Sequence, residues 1–347
     1  YKKNRLAAVT QFPKLIYSAA SKKAARRIVE DFKPDVVHCF AIYTKLTPSI
    51  LDVFSEFSLP VVCSFNDYKH ICPNYKLFHH GEVCEACRGG QFWHAVRYRC
   101  SHGSLMYSGA NALEAYVHKW LDIYRRNVTL FLFASEFMAL KTEEFWGKST
   151  FEWSILRNPF ESTSFSAPDV EGDFALYFGR LIDEKGVDVL LEAAQACESV
   201  PVKIVGDGPD RSSLEQRARE LQLSNVQFVG AKWGAELDAI LADCRFVVVP
   251  SLWHENFPYV ILQSFAMGKP VIGTDRGGIP ELVMHGDRGL IYPARNAGKL
   301  ASGMRKLWDN PREAKRMGRQ AKEFADVEFN DERFYTRLMG IYARVTA

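Results

Sequence analysis

Short continuous runs of β-branched and aromatic residues recur along the chain with longer helix-period segments between them, and this alternation constrains the fold more than any other feature. The runs lie at 34–40 (PDVVHCF), 60–65 (PVVCSF), 128–134 (VTLFLFA) and 153–157 (WSILR). They return at 174–179 (FALYFG), 201–206 (PVKIVG), 225–229 (NVQFV), 245–249 (RFVVV), 270–274 (PVIGT) and 289–292 (GLIY). Strands apolar on both faces and joined through helices form parallel sheets covered on both sides. The prediction is an α/β chain in which that architecture occurs twice.

With 347 residues the chain exceeds one comfortable core. A break falls near 157–172, RNPFESTSFSAPDVEG, where Pro, Ser and Thr accumulate and the apolar period stops. Two Rossmann-like βαβ domains facing across a cleft follow, with ligands expected at the C-terminal ends of strands. The boundaries read as an N-terminal domain at 1–160, a C-terminal domain at 161–327 and a closing helix at 328–347. That helix, DERFYTRLMGIYARV, is amphipathic and needs a surface to cover, which we place on the N-terminal domain. The first sheet shows fewer strands than the second, and the opening YKKNRLAAV has neither an initiator Met nor a signal-peptide pattern. Both features suggest a fragment whose first βα units and targeting signals lie upstream. No apolar run approaches the roughly 18 residues of a membrane span, so a soluble or membrane-peripheral protein is expected. The net charge of +3 is uneven, with basic excess in 1–160 and acidic excess in 161–347. The bland reading of that excess is solvated surface; the sharper one is contact with anionic lipid or a phosphorylated acceptor.

Three stretches carry candidate chemistry. In FALYFGRLIDEKG a strand runs into Gly179, followed by Arg180 and Lys185. A guanidinium and an ammonium there suit a diphosphate, although surface cations after a strand are common. In KIVGDGPD a strand ends at Gly206 and Gly208 follows, with Pro209 opening a helix whose N-terminus would favour an anion; many such turns need Gly for sharp geometry alone. In WHENFPYVILQSFAMGKPVIGT, Glu255 precedes a helix, Pro258 suits its first turn, and Gln263 lies inside it. Phe257, Val260 and the following apolar positions read mostly as core. Glu255 can reach hydroxyls, the N–H groups of Tyr259 and Val260 can meet phosphate, and Gln263 can touch a further hydroxyl. The blander readings are helix-dipole complementarity for Glu255 and an ordinary polar position for Gln263.

FGRLIDEKG, VGDGP, PSLWHENFPYVILQSFAMGKPVIGTDRGGIPELV and GLIYP, in that order and spacing, resemble the donor-binding domain of the retaining GT-B glycosyltransferases of the family-4 type, among them bacterial polysaccharide and lipid-linked oligosaccharide enzymes. PDVVHCFAIYTKLTPSIL and NDYKHICPNY extend the resemblance, more weakly, into the first half. It implies that Arg180 and Lys185 neutralise the donor pyrophosphate, that Glu255 contacts the transferred sugar, and that Gln263 stands where a Glu usually binds the ribose. It places the base near Gly230, Lys232 and Trp233, and Asn66 where an active-site His often precedes Asp67. The two departures differ in weight: Gln still exchanges hydrogen bonds with hydroxyls, whereas Asn cannot titrate. Transfer then depends on charge stabilisation of the leaving diphosphate. The implied function is transfer of a sugar, with retention, from a nucleoside-diphosphate donor, UDP-sugar being the best choice, to a hydroxyl of a glycan or lipid-linked acceptor in polysaccharide biosynthesis. The implied setting is cytoplasmic, at the inner face of a membrane. A sugar-nucleotide epimerase and a donor-binding but silent partner subunit are the alternatives. No organic cofactor or nucleic-acid partner is expected, and the lack of any Asp-x-Asp tripeptide argues against a metal-held diphosphate.

Four of the eight cysteines cluster as Cys72-x11-Cys84-x2-Cys87-x12-Cys100 within an insertion at 70–102. That is the ligand count of a structural zinc site, with outer spacings unlike a common finger. Reduced thiols and disulfides are the rival readings, and His70, His79, His80, His94 and His102 offer exchange ligands. The stretch RGGQFWHAVRYR interleaves cations with aromatics, which reads as an acceptor or membrane dock or, more plainly, as a folded knuckle with solvated cations.

Overall fold

The computed structural model describes residues 14–43, 46–167 and 172–347. The opening sequence and residues 168–171 of the Pro/Ser-rich break lie outside the described residues. The chain divides into two compact units, one holding the described residues up to His79 with Cys84–Arg157 and Tyr335–Ala347, the other His80–Val83 and Asn158–Phe334.

In the first unit β1 (Val37–Phe40), β2 (Val61–Phe65), β5 (Leu130–Phe133) and β6 (Trp153–Ile155) form a parallel sheet in the order β1-β2-β5-β6. Two short strands, β3 (Phe78–His79) and β4 (Glu82–Val83), fall in the Cys-rich insertion, the second within the segment grouped with the other unit. They are too short for any alternation to register in the sequence. The core is aromatic: Phe65 stacks on Phe131 at 5.7 Å, on Phe133 at 6.0 Å and on the His70 imidazole at 4.1 Å. Each such buried ring contributes roughly 1.5–3 kcal/mol. Burial pulls His70 down from its ordinary 6.5 to about 3, and its Nε2 meets Thr142 Oγ1 at 2.8 Å. His70 is therefore a neutral residue of this aromatic core.

The second unit holds β7 (Ala175–Phe178), β8 (Val202–Val205), β9 (Val226–Gly230), β10 (Phe246–Val249), β11 (Val271–Thr274) and β12 (Gly289–Tyr292), all parallel, in the order β12-β11-β10-β7-β8-β9. β7, β10 and β11 are buried at every position because helices cover both faces. Read from β9, the order runs 3-2-1-4-5-6, so the winding reverses between β7 and β10. A doubly wound sheet opens a crevice at that reversal, beyond the carboxyl ends of the two strands.

The last helix, Asp331–Thr346, carries the chain back to the first unit. There Tyr342 Oη lies 2.7 Å from His38 Nδ1, and His38 Nε2 lies 2.8 Å from Ser64 Oγ. Burial pulls His38 down to about 4, so the imidazole joining β1, β2 and the helix is neutral. Among the described residues no helix is long and apolar enough to cross a membrane.

Candidate active site

The reversal point between β7 and β10 gathers the charged residues singled out in the sequence. After β7 the chain passes Gly179 and Arg180 and makes a 3-10 turn, Asp183–Lys185, that ends on Gly186 with φ +65°. A Cβ on Gly186 would sit 2.2 Å from the Pro250 carbonyl, and Leu252 N–H donates to Glu184 O at 2.9 Å. Only glycine permits both the left-handed backbone and this approach. The turn is thereby fastened to the loop after β10, and the fastening brings Lys185 onto Glu255.

Lys185 Nζ donates to Glu255 Oε1 at 2.5 Å, and Ser251 Oγ donates to the same oxygen at 2.7 Å. The Glu255 side chain is only 7% exposed and that of Lys185 24%, so the pair is shielded from water on most sides. The Trp253 ring lies beneath the ammonium at 5.5 Å. From below, Thr274 Oγ1 donates to Ser251 O at 2.8 Å, and Gly278 N–H donates to Glu255 O at 2.7 Å. Gly277 (φ +60°) comes so close that a Cβ would lie 2.0 Å from the Glu255 carbonyl oxygen. Ser251, Thr274, Gly277 and Gly278 thus hold the carboxylate in place. None stood out in the sequence as a site residue, although Ser251 lies one helical repeat before Glu255 and a Gly-Gly pair before a short helix signals close backbone approach.

Arg180 is exposed, with its carbonyl accepting from Tyr177 Oη at 2.8 Å. Pro258 occupies the N-cap position of the helix Tyr259–Ala266 rather than its first turn, with ψ 108°. Tyr259 and Val260 therefore supply the helix's first N–H groups, which have no intrahelical acceptor. Phe257 packs on Phe329 at 5.7 Å, while Gln263 and Val260 are half-buried.

At the Gly-rich turn after β8 the backbone N–H groups meet protein acceptors. Gly206 N–H donates to Gly230 O, Gly208 N–H to Asp207 Oδ1, Asp210 N–H to Leu181 O and Arg211 N–H to Gly208 O. A Cβ on Gly206 would lie 1.9 Å from Gly179 O, and one on Gly208 2.1 Å from Leu181 O. Both glycines are required where two strand ends touch. The helix itself starts at Arg211, with Asp210 at its cap, so Pro209 precedes it. At the end of β9, Gly230 adopts φ +83°, Lys232 pairs with Glu236 at 2.7 Å, and Trp233 is 76% exposed.

Asn66 and Asp67 belong to the first unit, at the carboxyl end of β2, with Asn66 exposed and Asp67 half-buried. Burial raises the Asp67 carboxyl above its usual range, opposed by hydrogen bonds from Lys69 N–H (2.9 Å) and the Tyr43 hydroxyl. The four clustered cysteines also come together: Cys72, Cys84, Cys87 and Cys100 line one small cavity, and none forms a disulfide.

Residues 161–324 match the family described as "Glycosyl transferases group 1". The chain is 34% identical over 157 residues to an uncharacterized glycosyltransferase of Methanocaldococcus jannaschii, covering 45% of this chain and 44% of that protein. It is 36% identical over 151 residues to the D-rhamnosyltransferase WbpZ of Pseudomonas aeruginosa, covering 43% and 39%. The matched region is thus under half of either relative's length. Among solved structures, HepE of Anabaena in complex with UDP superposes with TM-score 0.69 at 18% identity, covering 93% of this chain and 82% of that one. Sucrose-phosphate synthase of Thermosynechococcus elongatus gives TM-score 0.69 at 16% identity, covering 99% and 80%. At such identities the superpositions speak for the fold, which is GT-B.

Proposed function

We propose, from the membership of residues 161–324 in the group 1 glycosyl transferases, that the protein is a glycosyltransferase moving a sugar from a nucleoside-diphosphate donor to a hydroxyl acceptor. The observation that carries the reading is the Lys185–Glu255–Ser251 cluster at the reversal point of the six-stranded sheet. Donor cleavage leaves negative charge on a diphosphate, and preorganised positive groups in a shielded site lower that barrier most. Arg180 and Lys185 supply the cations, and the N–H groups of Tyr259 and Val260 add the partial charge of a helix N-terminus. Lys185 uses one of its three N–H donors on Glu255, which leaves two for phosphate oxygens. Lys185 and Ser251 both donate to Glu255 Oε1, and Glu255 Oε2 can accept from sugar hydroxyls.

UDP-sugar is the donor we favour, since HepE is described with UDP, glucose and UDP-glucose. Retention, a glycan or lipid-linked acceptor and a place in polysaccharide biosynthesis complete the reading; relatives named for amylovoran and colanic acid biosynthesis support the last. Gln263 is assigned to the ribose, Gly230, Lys232 and Trp233 to the base, and Asn66 with Asp67 to the acceptor side. The basic excess of the first half fits peripheral contact with an anionic membrane on the cytoplasmic side. Asn66 and Gln263, neither able to titrate, favour one rival, a subunit that binds donor without turning it over. Incubation with a panel of nucleotide sugars decides: UDP release that rises on adding glycan acceptors supports transfer. UDP binding without release supports the silent subunit, and conversion of the nucleotide sugar into its epimer with no acceptor and no net UDP release supports an epimerase.

A further inference from the structure

We propose that Cys72, Cys84, Cys87 and Cys100 bind one zinc ion that fixes the loop following β2. The cavity they share is about 10 Å³, room for one atom-sized occupant, and its lining also includes His79, His94, Phe78 and Tyr98, so either imidazole could exchange with a thiol. Every pair among the four thiols lies close enough to interact electrostatically. Backbone N–H groups of Asn74, Lys76 and Leu77 are directed at the Cys72 sulfur, and that of Ala95 at the Cys87 sulfur. Burial raises the Cys72, Cys87 and Cys100 thiols, with these N–H groups opposing it only in part, so it is the charge of a bound cation that would hold the sulfurs as thiolates.

As they stand, no group of three or more His, Cys, Asp or Glu among the described residues is arranged to hold a metal ion. Binding therefore requires the four sulfurs to draw in on the cavity until each lies about 2.3 Å from the ion, with each thiol giving its proton to solvent. The segments that carry them can follow. Cys72 sits in a loop of consecutive turns, Cys84 and Cys87 follow the short strand β4, and Cys100 lies in the turn after the short helix Trp93–Arg97, so none is fixed inside a sheet. The consequence reaches the proposed acceptor side. Cys72 N–H donates to Tyr68 O at 2.7 Å, and Tyr68 directly follows Asn66 and Asp67. An ion joining Cys72 to three residues of the insertion would hold the Asn66–Asp67 turn through this contact.

Protein purified without chelator should contain about one Zn per chain by elemental mass spectrometry. Cys84→Ser/Cys87→Ser should reduce that at least tenfold, while Cys197→Ala, buried in the other unit, should leave it unchanged. Should the double variant not fold, Co2+ added to chelator-stripped wild-type protein supplies the second readout, through the charge-transfer and d–d absorption of a tetrahedral thiolate site. Metal-free protein that shows no such absorption and melts at the same temperature with and without chelator overturns the proposal. Disulfide-linked peptides joining these cysteines in freshly purified protein overturn it equally. None of these readouts uses nucleotide sugar, so failure here leaves the transferase reading untouched.

Discussion

Two strand-to-helix turns of the same six-stranded sheet look alike in sequence and differ in structure. After β8, Gly206 and Gly208 precede a helix; after β10, Glu255 and Pro258 do. At the first turn the N–H groups of Gly206, Gly208, Asp210 and Arg211 all donate to protein acceptors, and the glycines are there because Gly179 and Leu181 approach within the space of a Cβ. At the second, the protein brings a cation and a carboxylate together and leaves the helix N-terminus to supply N–H groups. Glycine in such a turn reports how near the next backbone lies. A ligand site is marked by polar groups whose partners are few and convergent.

The largest test of this contrast is Gly206→Ala. A Cβ at 1.9 Å from Gly179 O cannot be accommodated without moving β7 or β8, and overpacking of this kind costs about 3 kcal/mol. Denaturant melts should show that loss with UDP binding intact at saturating folded protein. Weakened UDP affinity in folded Gly206→Ala would support the turn as part of the donor site.

Next is Lys185→Ala, expected to weaken UDP binding by roughly 10- to 150-fold, or about 1.5–3 kcal/mol, the scale of a charge-assisted hydrogen bond. The same change strands Glu255, whose side chain is 7% exposed, with Ser251 as the remaining side-chain donor among the described residues, so stability should fall as well. Adding Glu255→Gln removes the stranded charge. The double variant should recover part of the stability and none of the UDP affinity, a separation that a double-mutant cycle reads directly. Recovery of both would mean that Lys185 serves the fold alone.

How far the sequence carries the fold is visible in these turns. The ten long strands lie within a few residues of their apolar runs, since a strand covered on both faces must be apolar along its length. The cluster was legible only in part. Arg180, Lys185 and Glu255 announce themselves by charge next to a strand end, but the pairing of Lys185 with Glu255 depends on the contact between the Gly186 turn and Pro250, which joins residues distant in sequence. Ser251 and Gly277 were missed for the same reason: a hydroxyl and a glycine acquire meaning only from what stands opposite. The gathering of four cysteines at one cavity was suggested by the central Cys84-x2-Cys87, whereas the backbone donors around Cys72 follow from a loop conformation no spacing encodes.

Ser251→Ala offers a finer probe. It removes one of two donors to Glu255 Oε1, worth about 1 kcal/mol, and leaves Lys185 to orient the carboxylate alone. Turnover should fall about fivefold with UDP affinity unchanged, because Ser251 touches the sugar-facing carboxylate and not the diphosphate cations. Loss of UDP affinity instead would place Ser251 against the nucleotide.

The smallest expected effect belongs to Gln263, half-buried one helical turn after Tyr259. Glu is nearly isosteric with Gln, so Gln263→Glu should preserve the helix, whose remaining contacts are apolar. If the side chain meets ribose hydroxyls, a carboxylate accepts from both with charge-assisted bonds where the amide accepts with one oxygen. The gain is about 1 kcal/mol, reduced by repulsion from the phosphates that Arg180 and Lys185 hold nearby. UDP should bind up to about fivefold tighter by calorimetry, and uridine, which lacks those phosphates, should gain at least as much. A gain for neither ligand would remove Gln263 from the ribose. A loss for UDP beside a gain for uridine would show that the diphosphate lies closer to this helix than the assignment to the cations allows.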